Sequence, residues 1–175
     1  MVKKYLTQSG INNMNNKSII IMGVAGCGKT TIGSMVSKQT ASYFIEGDDF
    51  HSKENIKKMS SGIPLNDSDR MGWLKSIKDE ISKQLKKNNV IIACSALKQI
   101  YRKNLQLDNS ILVYLKISKK DAQNRLSERK DHFMPSSLVE SQFKTLEEPS
   151  SALIYNATNN IDDIVNDICK KINLR

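Results

Sequence analysis

The octapeptide Gly23-Val24-Ala25-Gly26-Cys27-Gly28-Lys29-Thr30 constrains this chain more than any other stretch. It fits G-x-x-x-x-G-K-[ST], a pattern whose glycines let the backbone curl until its N–H groups converge on phosphate oxygens. Such a loop belongs between a strand that holds it at a sheet edge and a helix whose positive dipole end faces the anion. Both flanks are present. Ile19-Ile20-Ile21-Met22 has the character of a buried strand, and between Thr31 and Gln39 the residues Ile32, Met35 and Val36 share one helical face. The motif therefore predicts a nucleotide-binding loop running from Gly23 through Thr31, with Lys29 on the β- and γ-phosphates and the Thr30 hydroxyl on Mg²⁺. The plainer alternative is a glycine-rich turn that holds no phosphate.

Strand-like apolar runs recur at Lys17–Met22, Ser42–Ile45, Val90–Cys94, Ile111–Ile117 and Ala152–Tyr155, with helical periodicity between them. Leu74, Ile77, Ile81 and Leu85 form one stripe, and Ile161, Ile164, Val165, Ile168 and Ile172 form another. Ser118 with Asp121, and Ser137 with Glu140, have the spacing of capping boxes that open helices. Short apolar strands alternating with helices predict an α/β fold, a parallel sheet covered by helices on both faces. In such sheets ligands bind beyond the C-terminal ends of the strands. The 175 residues suit one domain. Residues 1–16 are expected to be an N-terminal extension and 17–175 the domain itself.

The residues after each strand are thus the candidate site. Beyond the second strand stand Glu46, Asp48 and Asp49, then His51. Acids beside a phosphate loop suit a Mg²⁺ site, a base for an acceptor hydroxyl, or both; taken alone they would better suit a turn capping the next helix, and their position after the strand next to the loop strand reverses that. The third strand ends in Cys94-Ser95 without the aspartate that commonly supports Mg²⁺ at that point, which shifts the weight to Glu46 and Asp48. Ser60–Arg70 is expected to be a polar connection with an Asp N-cap before the Trp73 helix, and Arg70 offers a planar fork suited to a carboxylate. After the fourth strand, Arg125 and Arg129 either complement a helix dipole or neutralise transferring phosphate from a lid at about residues 125–140.

Net charge is +9, which suits an anionic ligand but is met as well by a lysine-rich solvated surface. No aromatic and glycine pattern of an RNA-binding sheet is present, so nucleic acid is not an expected partner. No apolar stretch approaches the about 20 residues of a membrane span, and Met1–Asn16 lacks the apolar core of a signal peptide. Cys27, Cys94 and Cys169 are odd in number and widely spaced, which argues against a disulfide framework and for a reducing cytoplasm.

Taken in order, several stretches resemble the gluconate kinases of the small P-loop type. They are Met22–Thr30, Glu46-Gly47-Asp48 with His51, Asn55–Arg70 with Trp73-Leu74, and Cys94–Lys98 with Tyr101-Arg102. Arg125-Leu126 with Arg129, His132-Phe133-Met134, Ser141-Gln142-Phe143 and Thr145–Pro149 complete them. The resemblance implies a three-layer α/β/α fold like that of nucleoside-monophosphate kinases, with a five-stranded parallel sheet and a lid. It implies the cosubstrate ATP with Mg²⁺, the acceptor D-gluconate and the product 6-phospho-D-gluconate. It places Asp48 as the base at the acceptor hydroxyl, Arg70 and Lys98 at the substrate carboxylate and its neighbours, Arg125 and Arg129 in the lid, Glu46 in the metal shell, and His51 and His132 as hydroxyl partners or packing groups. A homodimer is left open. The family usually shows Asp-Gly-Asp where this chain has Glu46-Gly47-Asp48, and often Pro where it has Gly72. Cys27, beside Lys29 at a helix N-terminus, is expected to be sensitive to alkylation. A shikimate or adenylylsulfate kinase, and a nucleotide-gated binding protein without turnover, are the competing readings.

Overall fold

The computed structural model describes residues 16–128 and 137–173. Its sheet follows from the five apolar runs: β1 (Ser18–Met22), β2 (Tyr43–Glu46), β3 (Val90–Ala93), β4 (Ser110–Lys116) and β5 (Leu153–Asn156). They lie in the order β2-β3-β1-β4-β5 and every neighbouring pair is parallel. Parallel strands need crossover helices, and these cover both faces. The helices are α1 (Lys29–Thr40), α2 (Lys53–Ser60), α3 (Asp67–Gln84), α4 (Gln99–Leu105), α5 (Lys119–Ser127), α6 (Ser137–Thr145) and α7 (Ile161–Ile172). Among the described residues, no helix is long and apolar enough to cross a membrane.

Strand periodicity divides the core in two. Ile19 and Ile21 of β1 face one side, where they join Ile32 and Val36 of α1 and Ile164, Val165 and Ile168 of α7. Ile20 and Met22 face the other, with Trp73, Leu74, Ile77 and Ile81 of α3 and Tyr101 and Leu105 of α4. Because β1 is buried along its whole length, it reads as a continuous apolar run rather than an alternating one.

Local chemistry sets the helix starts. Ser118 accepts from Asp121 N and so caps α5, as its spacing predicts. The cap of α3 differs from expectation. Asn66, not an aspartate, accepts from Asp69 N, and the Asp69 side chain accepts from Asn66 N in return. The helix therefore begins before Arg70, which places Arg70 in its first turn and Gly72 inside it rather than at its start.

Beyond β2 the chain makes a 3₁₀ turn, Gly47–Phe50, pressed against the end of β3. A Cβ on Gly47 would lie 2.7 Å from the Ala93 carbonyl oxygen and 3.2 Å from Cys94 Cβ. Only glycine allows that approach, and the buried Trp73 indole locks it by donating to the Gly47 carbonyl at 2.7 Å. Gly47→Ala is expected to cost about 1–3 kcal/mol of stability through overpacking, read as a lower urea midpoint at unchanged m-value.

Candidate active site

The phosphate loop forms as its glycines require. Gly23, Gly26 and Gly28 hold φ of 148, 84 and 96°, a region that side chains disfavour. Lys29 Nζ donates to the Val24 carbonyl at 3.0 Å, so the lysine lies back across the loop. Thr30 Oγ1 donates to Glu46 Oε2 at 2.7 Å, which joins the loop to the end of β2. Glu46 also caps the 3₁₀ turn by accepting from Asp48 N at 3.4 Å. The sequence expectation that acids after β2 stand beside the loop thus has a direct geometric counterpart.

Burial raises the Glu46 pKa, and the neighbouring Asp48 charge adds to the rise against the Thr30 hydrogen bond, which lowers it. Among the described residues, no three His, Cys, Asp or Glu side chains converge on a metal-sized site. Magnesium in phosphoryl-transfer sites takes one or two protein ligands and completes its shell with phosphate and water. The adjoining Thr30 hydroxyl and Glu46 carboxylate fit that mode.

A single cleft collects loop and acceptor groups. Gly26, Gly28, Lys29, Thr30 and Thr31 line one side; Asp48, His51, Arg70 and Trp73 line the other. His51 stacks on Trp73, with ring centroids 4.4 Å apart and planes 12° from parallel. Its side chain is only 6% exposed, and Nε2 stands 4.0 Å from the Asp48 carboxylate. Burial lowers the His51 pKa, the Asp48 charge pulls it up, and Arg70 pushes it down. Among the described residues, His51 Nδ1 and Arg70 Nε are buried without a hydrogen-bond partner. Arg70 is otherwise held by the Leu65 carbonyl at 3.1 Å and lies over the Tyr101 ring at 5.4 Å.

Lys98 is placed differently from the substrate contact expected of it. Its ammonium donates to both Asp67 carboxylate oxygens, at 2.7 and 2.9 Å, and it does not line the cleft. The Tyr101 hydroxyl donates to the same carboxylate. The Lys98 and Tyr101 hydrogen bonds lower the Asp67 pKa. Lys98 thus steadies the first turn of α3, the turn that carries Arg70.

Arg125 lies on the far side of the loop. It donates to the Ala157 carbonyl at 2.8 Å and to the Gly26 carbonyl at 3.4 Å. With Glu128 and Ala157 it lines a second cavity beside α1, which shares Gly26, Gly28 and Thr31 with the first cleft. Arg129 and His132 lie outside the described residues. Cys27 is fully buried, and a Cβ on Gly23 would sit 2.7 Å from its Sγ. That burial removes the exposure an alkylating agent needs, so the expected thiol sensitivity is withdrawn.

Three groups escaped the sequence reading. Trp73 serves as stacking partner and turn lock; Arg102, buried, donates to the Ala96 and Leu97 carbonyls and holds the bend after β3. Gln142 reaches the phosphate loop from α6. Arg102 and Gln142 stood within recognised stretches, but nothing in their spacing signals these contacts.

The family model for shikimate kinase matches residues 25–173. The thermosensitive gluconokinase of Escherichia coli is 43% identical over 141 residues, covering 79% of this chain and 75% of that protein. The gluconokinase of Gluconobacter oxydans is 39% identical over 146 residues, covering 82% and 80%. The crystal structure of a gluconokinase from Sinorhizobium meliloti superposes with a TM-score of 0.80 at 36% identity, covering 90% and 91%.

The raised Glu46 pKa has a sign that experiment can read. The native state holds this proton more tightly than the unfolded chain, so the cost of the carboxylate is absent below its ordinary pKa and appears as pH rises through the raised value. Glu46→Gln is expected to raise the Tm of the ligand-free protein near neutral pH, to leave it unchanged at about pH 4, and to lower kinase activity. Scanning calorimetry at the two pH values checks it.

Proposed function

The chain belongs to the gluconokinases, within the P-loop kinases that the shikimate kinase model describes, and on that basis we propose that it transfers the γ-phosphoryl group of ATP to D-gluconate, giving ADP and 6-phospho-D-gluconate. The observation that carries the acceptor side is that Asp48, His51 and Arg70 line the same cleft as the phosphate loop. A guanidinium suits the carboxylate of a sugar acid, and an imidazole beside a carboxylate suits its hydroxyls. The relatives favour this acceptor over shikimate or adenylylsulfate.

Phosphoryl transfer is mostly positioning and charge neutralisation. The loop amides and Lys29 hold the phosphates, and Arg125 marks the nucleotide side through its grip on Gly26 and Ala157. Thr30 and Glu46 are the residues that would hold Mg²⁺, which when bound offsets charge on the phosphate oxygens. At the acceptor end Arg70 takes the carboxylate, with its guanidinium placed by Tyr101 and by the first turn of α3. His51, whose pKa burial lowers, presents a hydrogen bond to a sugar hydroxyl. Asp48, 46% exposed at its side chain, stands at the reacting end, where it orients the acceptor hydroxyl and takes its proton. Arg129, His132 and a lid at about residues 125–140 enter on family resemblance. The free cysteines agree with a reducing, cytoplasmic setting.

A coupled ADP-release assay across sugar acids tests the acceptor, and D-gluconate is expected to give the highest kcat/KM. Asp48→Asn is expected to lower kcat by about 10²–10⁴-fold, with near-native turnover sinking its assignment as base. Arg70→Ala should chiefly raise the gluconate KM. A change confined to the ATP KM would move Arg70 to the nucleotide side.

A further inference from the structure

Gln142 has no part in the chemistry above, although it touches the phosphate loop directly. Its Oε1 accepts from the Ala25 backbone N–H at 2.6 Å, across 117 positions of sequence. Ala25 stands third in the loop octapeptide, within the arc whose N–H groups face phosphate. An acceptor supplied by the protein fixes the orientation of that peptide and withdraws its donor from the anion. One helical turn earlier on α6, Leu138 is buried with Met59 of α2 and Leu65 of the α2–α3 connection in a small apolar cluster on the acceptor side. Residues four apart share a helix face. Leu138 and Gln142 both line the cleft, so one face of α6 touches the acceptor-side elements at one end and the phosphate loop at the other.

We propose that Gln142 is a positioning residue for phosphoryl transfer: by holding the Ala25 peptide from the acceptor-side helix, it sets the alignment between the triphosphate and the acceptor. The turnover part of this inference rests on the kinase reading; the nucleotide-binding part does not.

Two substitutions separate alignment from packing. Gln142→Glu keeps an oxygen for the Ala25 N–H but sets a negative charge beside the phosphates. It is expected to weaken ATP at least about tenfold and ADP less, with Tm unchanged. Gln142→Leu removes the anchor and is expected to lower kcat about 10- to 100-fold while the ATP dissociation constant stays within about threefold. Displacement of a fluorescent nucleotide analogue reads ATP and ADP binding with no acceptor present. Wild-type turnover with D-gluconate, measured alongside, tests the acceptor reading separately; should it fail, the ATP-against-ADP difference in Gln142→Glu alone decides. The proposal is overturned if that variant binds both nucleotides as the wild type does, or if Gln142→Leu keeps wild-type kcat. Parallel losses of Tm, ATP binding and kcat in Gln142→Leu, all restored in Gln142→Glu, would equally overturn it, because they would make Gln142 a packing group.

Discussion

All five strands run in one direction, so their C-terminal ends lie along a single edge of the sheet. The rest of the structure depends on that constraint. Parallel pairing forces every connection to cross over a face, and each crossover leaves the sheet at the same edge. β1 lies at the centre, between β3 and β4, and its loop therefore opens between the segments that follow its neighbours. Glu46 meets Thr30 because β2 ends one strand beyond β3 at the same edge, not because the chain is folded locally to bring them together.

Within that frame, short contacts decide where the reactive groups stand. The 3₁₀ turn after β2 reaches the end of β3 only because residue 47 has no side chain, and Trp73 holds it there through one buried hydrogen bond. The same indole supports the His51 ring on its face. One residue of α3 thus fixes the height of Asp48 and the plane of His51. The next layer is electrostatic. Asp67 gathers Lys98 and Tyr101, Tyr101 carries Arg70 on its ring, and Asn66 with Asp69 sets where the helix bearing them begins. Arg70 and His51 are ordered by these neighbours, and both line the cleft that holds the phosphate loop.

The two sides of the cleft are joined by α6. Leu138 packs with Met59 and Leu65, while Gln142 holds Ala25. In a reaction governed by alignment, a helix that contacts both substrate sides is a natural place for positional control. The Leu138 and Gln142 contacts have different physical origins, one apolar and one a hydrogen bond to a backbone N–H.

The sequence by itself determined the elements and the phosphate loop. A glycine pattern, an apolar run and a capping serine act over a few residues, and backbone geometry answers to them directly. That is why β1–β5 fall within about two residues of their apolar runs, and why Glu46, Asp48, His51 and Arg70 were all legible as the polar residues after or between those elements. Tertiary structure alone decided the partners. Asp67 claims Lys98, Gln142 claims Ala25 and the Arg125 guanidinium reaches Ala157, across 31, 117 and 32 positions. The same holds for Cys27, whose place beside Lys29 suggested reactivity until packing buried its thiol. Contacts at such separations are set by how layers stack and which strands adjoin, and linear spacing carries no record of either.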